Sequence, residues 1–263
     1  MENFSIDIVS DLHIDQWDPA YKIKYKCGEV KDKPLNWETL NIQNKILIIA
    51  GDISDDLDRS VKYLDDVSNY YDQILFVDGN HEHVNNYPNL YSNQLINKKI
   101  QNPKVSYLSE NTFVKDGVAF IGTCGWWDNK RTKEYTYFKE WIPHLTKEQN
   151  MEFCDNVKEQ AKIQADEIEN RLKVLEEDRS IKTVVIVTHC VPLLEFCDFG
   201  SEDTELNKHF TEILKKKYSK LKCWVFGHTH QHFNKEVNGV LFRANGRGRP
   251  EDWNREQYKL SKI

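Results

Sequence analysis

Short apolar, β-branched runs recur along the chain, at Phe4 to Val9, Ile46 to Ala50, Ile74 to Val77, Val118 to Gly122, Thr183 to Val187 and Cys223 to Phe226. Each is closed by a polar or glycine-containing cluster. Unbroken apolar runs of this length predict strands covered on both faces, because a strand with one wet face would alternate. Between them the period lengthens to that of a helix. Arg59 to Tyr70 places Val61, Leu64 and Val67 on one face, and Tyr87 to Ile100 does the same with Leu90, Tyr91, Leu95 and Ile96. The longest helical segment runs from about Thr146, an N-cap with Glu148 close behind, to about Asp178. Its Phe153, Val157, Ala161, Ile168, Leu172 and Leu175 fall at three- and four-residue steps. Toward the C-terminus, Phe233 to Val237 and Val240 to Arg243 flank Asn238-Gly239 and predict a hairpin. Strands that alternate with helices predict a layered α/β domain.

Composition narrows the class. The 263 residues include 12 Tyr, 12 Phe and 7 Trp against 11 Gly and 7 Pro, which excludes disordered, collagen-like and low-complexity chains. A length of 263 fits one α/β unit with insertions better than two domains. No apolar run reaches the ~18–20 residues that span a bilayer, and the first residues lack the pattern of a signal peptide, so a cytoplasmic protein with no membrane partner is expected. The 6 cysteines (Cys27, Cys124, Cys154, Cys190, Cys197, Cys223) include no C-x-x-C pair and read as free thiols. Lys+Arg number 36 against 42 Asp+Glu, a net charge of −6, which disfavours a long nucleic acid as partner.

The candidate chemistry is concentrated at the ends of the apolar runs. Ser10-Asp11-Leu12-His13 comes directly after the first, Gly51-Asp52 after the second, Asp78-Gly79-Asn80-His81-Glu82 after the third, Thr188-His189 after the fifth and Gly227-His228-Thr229-His230 after the sixth. In open α/β sheets ligands bind outside the carboxyl ends of the strands, where these segments would converge. Imidazoles, carboxylates and one amide oxygen suit two borderline divalent ions such as Mn²⁺, Fe²⁺, Zn²⁺ or Co²⁺ and call for no thiolate. If the turns stay extended, Asp11 and His13 point the same way, and so do His228 and His230. Asp52, alone on its strand end, is the natural bridge between two ions, with a water held between them becoming the hydroxide that attacks phosphorus. Two divalent ions and the carboxylates of Asp11 and Asp52 leave the site near +2 within an acidic protein, a charge that fits a phosphate.

Asp-x-His, Gly-Asp, Gly-Asn-His-Glu, a lone His and Gly-His-x-His, in this order from residue 4 to about 245, resemble the calcineurin-like metallophosphoesterase family. The resemblance implies a four-layer α/β/β/α sandwich with two central mixed sheets. It assigns one metal to Asp11, His13, Asp52 and His230, the other to Asp52, Asn80, His189 and His228, and places His81 at the leaving-group oxygen as a catalytic residue. The whole chain, 1–263, is then one such domain with insertions at about 15–40 and about 129–180. The family's protein Ser/Thr phosphatases follow Gly-Asp with Asp-Arg-Gly, whereas Gly51-Asp52 here runs into Ile53-Ser54-Asp55-Asp56, which disfavours that role. Small single-domain members are similar around Ser10 to His13, Gly122-Thr123, Trp224 to His230 and Asn245 to Gly248. The expected activity is hydrolysis of a phosphodiester or phosphomonoester of a small nucleotide-like substrate, with the diester favoured. The alternative is a scaffold of the same fold without catalysis, which predicts missing ligands, whereas every position is filled here.

Other residues have plainer readings. Asp55, Asp56 and Asp58 read as acids at a helix N-terminus, and Glu82 as a hydrogen-bond acceptor behind His81. Trp126 and Trp127 fit a cleft wall and packing under the next insertion equally. Arg247 and Arg249 are candidates, with Asn80, for binding substrate phosphate. Trp17, Tyr21, Tyr25 and Trp37 are candidates for an aromatic surface. The 146–178 helix is read as a solvated brace, with a cap or dimer contact as alternatives; oligomeric state is not legible.

Overall fold

The apolar runs become the central strands of two sheets in the computed structural model, which describes residues 5–18, 35–40, 42, 44–84, 93–128, 146–198, 205–250, 252 and 258–263. The strands are β1 (Ile6–Val9), β2 (Ile46–Ala50), β3 (Gln73–Val77), β4 (Val105–Tyr107), β5 (Phe113–Lys115), β6 (Val118–Thr123), β7 (Thr183–Thr188), β8 (Leu221–Phe226), β9 (His232–Val237), β10 (Val240–Asn245) and β11 (Ser261–Lys262). The first sheet has the order β11-β1-β2-β3-β4 and the second β5-β6-β7-β8-β10-β9. Interior pairs are parallel, in register Ile8↔Ile48, Ile48↔Leu75 and Ile186↔Trp224, while β11, β5 and β9 are antiparallel edges. Both sheets are therefore mixed.

Three apolar layers explain why the runs are unbroken. Ile6, Ile8, Ile48, Leu75 and Val77 of the first sheet meet Phe120, Val185, Val187 and Val225 of the second. The outer face of the first sheet packs Leu47, Ile49, Ile74 and Phe76 against Leu64 and Val67 of α1 (Leu57–Val67) and Ile96 of α2 (Asn93–Lys99). The outer face of the second packs Ala119, Ile121, Ile186 and Trp224 against Ile168 and Leu172 of α3 (Lys147–Glu177) and Phe210 and Ile213 of α4 (Lys208–Lys215). The result is the expected four-layer α/β/β/α sandwich. Each fully buried Ile, Leu or Phe contributes roughly 1.5–3 kcal/mol relative to exposure.

Local chemistry sets the helix ends. Asp56 caps α1, accepting from the N–H groups of Asp58 and Arg59 at 2.9 and 3.2 Å. Thr146 caps α3 in a reciprocal box with Gln149, at 2.8 and 3.2 Å, so the partner is Gln149 and not Glu148. Of the predicted helix from Tyr87 to Ile100 the structure gives α2, while residues 85–92 lie outside the described residues. β4, β5, β11 and α4 were not predicted. The three strands span two or three residues, too few to express a period, and α4 spans only two turns, although Asp116-Gly117 (φ 49° and 79°) turns β5 into β6 by the chemistry that Asn238-Gly239 (φ 52° and 80°) uses at the predicted hairpin.

The long helix is a brace. Its first half sets Phe153, Val157 and Ala161 against Cys124, Trp126, Trp127 and Cys190. Gln164 accepts from Gly125 N–H at 2.7 Å, and Asn207 donates to the carbonyls of Gly125 and Ala161 at 3.1 and 2.9 Å, tying the loop after β6 to the helix. Cys124, Cys190 and Cys223 are buried free thiols; Cys27 and the side chain of Cys154 lie outside the described residues.

Candidate metal centre

The carboxyl ends of β1, β2, β3, β7 and β8 share one edge of the sandwich, and the backbone there is turned sharply. Among the described residues eight non-glycine residues have positive φ, and five of them are Asp11 (51°), His13 (42°), Asp52 (58°), His228 (74°) and His230 (56°). Asp and His tolerate this region better than most residues, and clustering of such strain marks functional sites. The extended turns expected around Asp11-x-His13 and His228-x-His230 are thus replaced by left-handed ones, and convergence comes from cross-loop hydrogen bonds. Asp11 N–H donates to Gly51 O at 3.0 Å, His13 N–H to Asp52 O at 3.1 Å, Gly248 N–H to Asp11 O at 2.8 Å and His228 N–H to Asp11 Oδ1 at 2.8 Å. Gly79 has no alternative at its crossing, since a Cβ there would stand 2.6 Å from Asp52 N and inside contact with its carboxylate.

Seven of the predicted site residues meet. His189 Nε2 lies 3.2 Å from Asp52 Oδ2, 3.0 Å from Asn80 Oδ1 and 3.1 Å from His228 Nδ1. His13 Nε2 lies 3.0 Å from His230 Nε2 and 3.8 Å from Asp52 Oδ2, and His230 Nε2 lies 3.9 Å from Asp11 Oδ1. Three groups of side chains are close enough to hold a cation: Asp11, His13 and His230; His13, Asp52 and His81; Asp52, His189 and His228. The donor chemistry fits a metal. His189 Nδ1 donates to Ala50 O at 2.9 Å, so in the neutral ring the Nε2 lone pair faces a carboxylate, an amide oxygen and another imidazole nitrogen. Acceptors packed this closely repel unless a proton or a cation stands among them.

The charges of the cluster's own residues bias where its protons sit. Burial alone pushes Asp52 up, yet His189, His81 and His13 outweigh it and hold the carboxyl well below its usual range. Burial pushes His189 down, and Asp52 and Asp11 overturn this and hold it well above the usual imidazole range. A cation must displace the His189 proton, so loading is expected to release protons and to weaken as pH falls. Titration of Mn²⁺ calorimetrically in two buffers of different ionisation enthalpy checks this; identical apparent enthalpies would contradict it.

His81 sits beside the cluster on a short turn after β3. Its Nδ1 is 2.5 Å from Asp55 Oδ1, its Nε2 is 3.8 Å from Asp52 Oδ2, and its N–H donates to Asp52 Oδ1 at 2.9 Å. Burial lowers its pKa, but Asp52 and Asp55 prevail and raise it. Asp55 is thus separated from Asp56 and Asp58, which do serve the helix start. Glu82 accepts from the N–H groups of Gly79, Asp52 and Ile53 at 2.7, 3.0 and 2.7 Å and from Ser60 Oγ at 3.0 Å. It clamps the loops after β2 and β3 together, and burial pushes it up to about 7.

The remaining candidates divide. Arg249 Nη2 lies 3.4 Å from His81 Nε2. Arg247 is buried, with its guanidinium 4.0 Å from the centre of the Trp17 ring. Trp17 and Trp37 are core residues, 1% and 6% exposed, and form no aromatic surface; Tyr21 and Tyr25 lie outside the described residues. Trp127 stacks on His228 at 5.5 Å and Trp126 packs edge-on against Phe153 at 6.2 Å, so one backs the centre and the other joins it to α3.

The family model described as calcineurin-like phosphoesterase matches residues 4–232. An uncharacterized protein of Acanthamoeba polyphaga mimivirus is 28% identical over 261 residues, 91% of this chain and 89% of that protein. The crystal structure of phosphopantetheinyl hydrolase from Mycobacterium tuberculosis superposes with a TM-score of 0.68 at 17% identity, covering 98% of this chain and 95% of that one. A dimetal phosphatase from Danio rerio gives 0.58 at 15% identity over 98% and 91%. Both structures share the fold.

Proposed function

The chain belongs to the calcineurin-like phosphoesterase family, and from that premise we propose that it hydrolyses the phosphate ester of a small, nucleotide-like substrate, phosphodiesters ahead of phosphomonoesters. Metal-dependent phosphoester hydrolysis is the family's chemistry, and this chain carries the His and Asp clusters for it. The observation that carries the reading is the position of Asp52, whose Oδ2 lies within 3.8 Å of His13 Nε2 and 3.2 Å of His189 Nε2 and so faces both halves of the centre.

In this reading Asp11, His13, Asp52 and His230 hold one divalent ion, and Asp52, Asn80, His189 and His228 the other. The two ions, when bound, supply Lewis-acid charge and lower the pKa of water to near neutrality. His81, oriented by Asp55, holds a proton at Nε2 for the departing oxygen. Arg249, beside His81 Nε2, grips a non-bridging phosphate oxygen, while Arg247 stiffens the same turn from below by its contact with Trp17. One half-buried arginine suits the single charge of a diester better than a dianion, and the net charge of −6 opposes a long polyanion. No helix among the described residues is long and apolar enough to cross a membrane. Free thiols fit a cytoplasmic setting.

Purified protein, stripped and reloaded with Mn²⁺, Fe²⁺, Zn²⁺ or Co²⁺, tests this on bis(p-nitrophenyl) phosphate and p-nitrophenyl phosphate. Two ions per chain and faster hydrolysis of the diester are expected. A chain that binds two ions and turns over neither ester would be a scaffold. A panel of cyclic nucleotides, dinucleotides, nucleoside polyphosphates, short single strands and phosphopantetheine esters then identifies the substrate; the last class enters because the superposed Mycobacterium tuberculosis enzyme is a phosphopantetheinyl hydrolase.

A further inference from the structure

Beyond β10, Asp252 lies beside the centre. Asp252 is tied to both His230 and Arg249. Its Oδ2 lies 2.6 Å from His230 Nδ1 and accepts from Arg249 N–H at 2.7 Å, and its own N–H donates to Arg249 O at 3.0 Å. The last two close a turn with Pro250 in its second position, where the fixed φ of proline belongs.

A carboxylate only accepts, so the contact with His230 puts the proton on Nδ1 and leaves the Nε2 lone pair for the centre, 3.0 Å from His13 Nε2 and 3.9 Å from Asp11 Oδ1. The other ligand imidazoles are held differently. His189 Nδ1 leans on a backbone carbonyl, and His13 Nδ1 is buried with no hydrogen-bond partner among the described residues. A carboxylate behind an imidazole makes it a more basic and better oriented ligand, and losing such a partner typically costs ~10–100-fold in metal affinity. The same oxygen fixes the backbone of Arg249, whose guanidinium is 3.4 Å from His81 Nε2. One carboxylate therefore joins a metal imidazole to the arginine beside the acid.

We propose that Asp252 is a positioning residue that sets the tautomer of His230 and holds the Arg249 turn, so that this one carboxylate sets the affinity of the first metal position. This rests on the metal-centre reading above. The test uses the full chain with Asp252→Ala and Asp252→Asn, read by Mn²⁺ titration with calorimetry and electron paramagnetic resonance, by the KM for bis(p-nitrophenyl) phosphate, and by thermal unfolding. Asp252→Ala is expected to weaken one of the two ions ~10–100-fold, leave the other unchanged and raise KM. Asp252→Asn keeps both acceptor contacts without the charge and should fall between, with an unfolding midpoint close to wild type; it decides the matter if the alanine variant does not fold. Wild-type protein that binds two ions, with variants that match it in affinity and KM, overturns this inference alone. Wild-type protein that binds no Mn²⁺ overturns the metal-centre reading and this inference together.

Discussion

Asp52→Asn is expected to give a folded protein whose hydrolysis of any phosphate ester falls by ~10³-fold or more, since a single electrostatic contributor to a transition state is commonly worth ~10²–10³ and Asp52 serves both halves of the centre. Its Oδ2 faces His13, His81 and His189 at 3.8, 3.8 and 3.2 Å, while Oδ1 accepts from His81 N–H at 2.9 Å. Asparagine keeps the shape and the Oδ1 contact and puts an uncharged NH₂, which cannot ligate a cation, in the place of the carboxylate oxygen that faces the three imidazoles. The loops after β1, β2 and β3 therefore keep their hydrogen bonds, and the loss falls on cation binding. Circular dichroism and the unfolding midpoint should stay near wild type while metal content drops below two ions per chain. His189→Ala should match it in activity. A variant with full activity and an unchanged pair of ions would remove Asp52 from the centre.

The strand ends were legible because the sequence changes character there within one or two residues. Ile46 to Ala50 is wholly apolar and Gly51-Asp52 comes at once after it, so the pattern marks both the buried strand and the polar group it delivers. Backbone sign was not legible: nothing in Asp11-Leu12-His13 states that both flanking residues adopt positive φ, which depends on Gly51, Asp52 and Gly248 crossing the turn. Asp55 was hidden by its neighbours. Asp56 caps α1 and Asp58 lies in its first turn, so three acids within four residues read as one helix start, although Asp55 stands ahead of the cap and reaches His81. Asp252 was hidden by distance, its contact with His230 spanning 22 residues of chain with no period. Trp17 reads as a surface because its segment shows no apolar period; it is buried, with Nε1 donating to Gly248 O at 3.0 Å and its ring under Arg247.

His81 carries the second large effect, and its signature is selectivity among leaving groups. With Nδ1 held by Asp55 at 2.5 Å, the transferable proton of His81 belongs to Nε2, and although burial lowers the pKa of the ring, the Asp52 and Asp55 carboxylates raise it. His81→Ala should keep both ions, because Asp11, His13, Asp52, Asn80, His189, His228 and His230 remain, and should lose ~10²–10⁴-fold on alkyl esters, or about 3–5 kcal/mol of barrier. Nitrophenyl esters depart without a proton and should lose far less. Asp55→Asn should act in the same sense and more weakly. Removing the Asp55 charge lowers the His81 pKa, so the protonated form is lost at lower pH and the alkaline fall of kcat should move toward neutrality. Measuring kcat for an alkyl and a nitrophenyl diester across pH in wild type, His81→Ala and Asp55→Asn separates the roles. Equal losses on both substrates would mean that His81 stabilises charge without donating a proton, and an unmoved alkaline limb in Asp55→Asn would detach Asp55 from it.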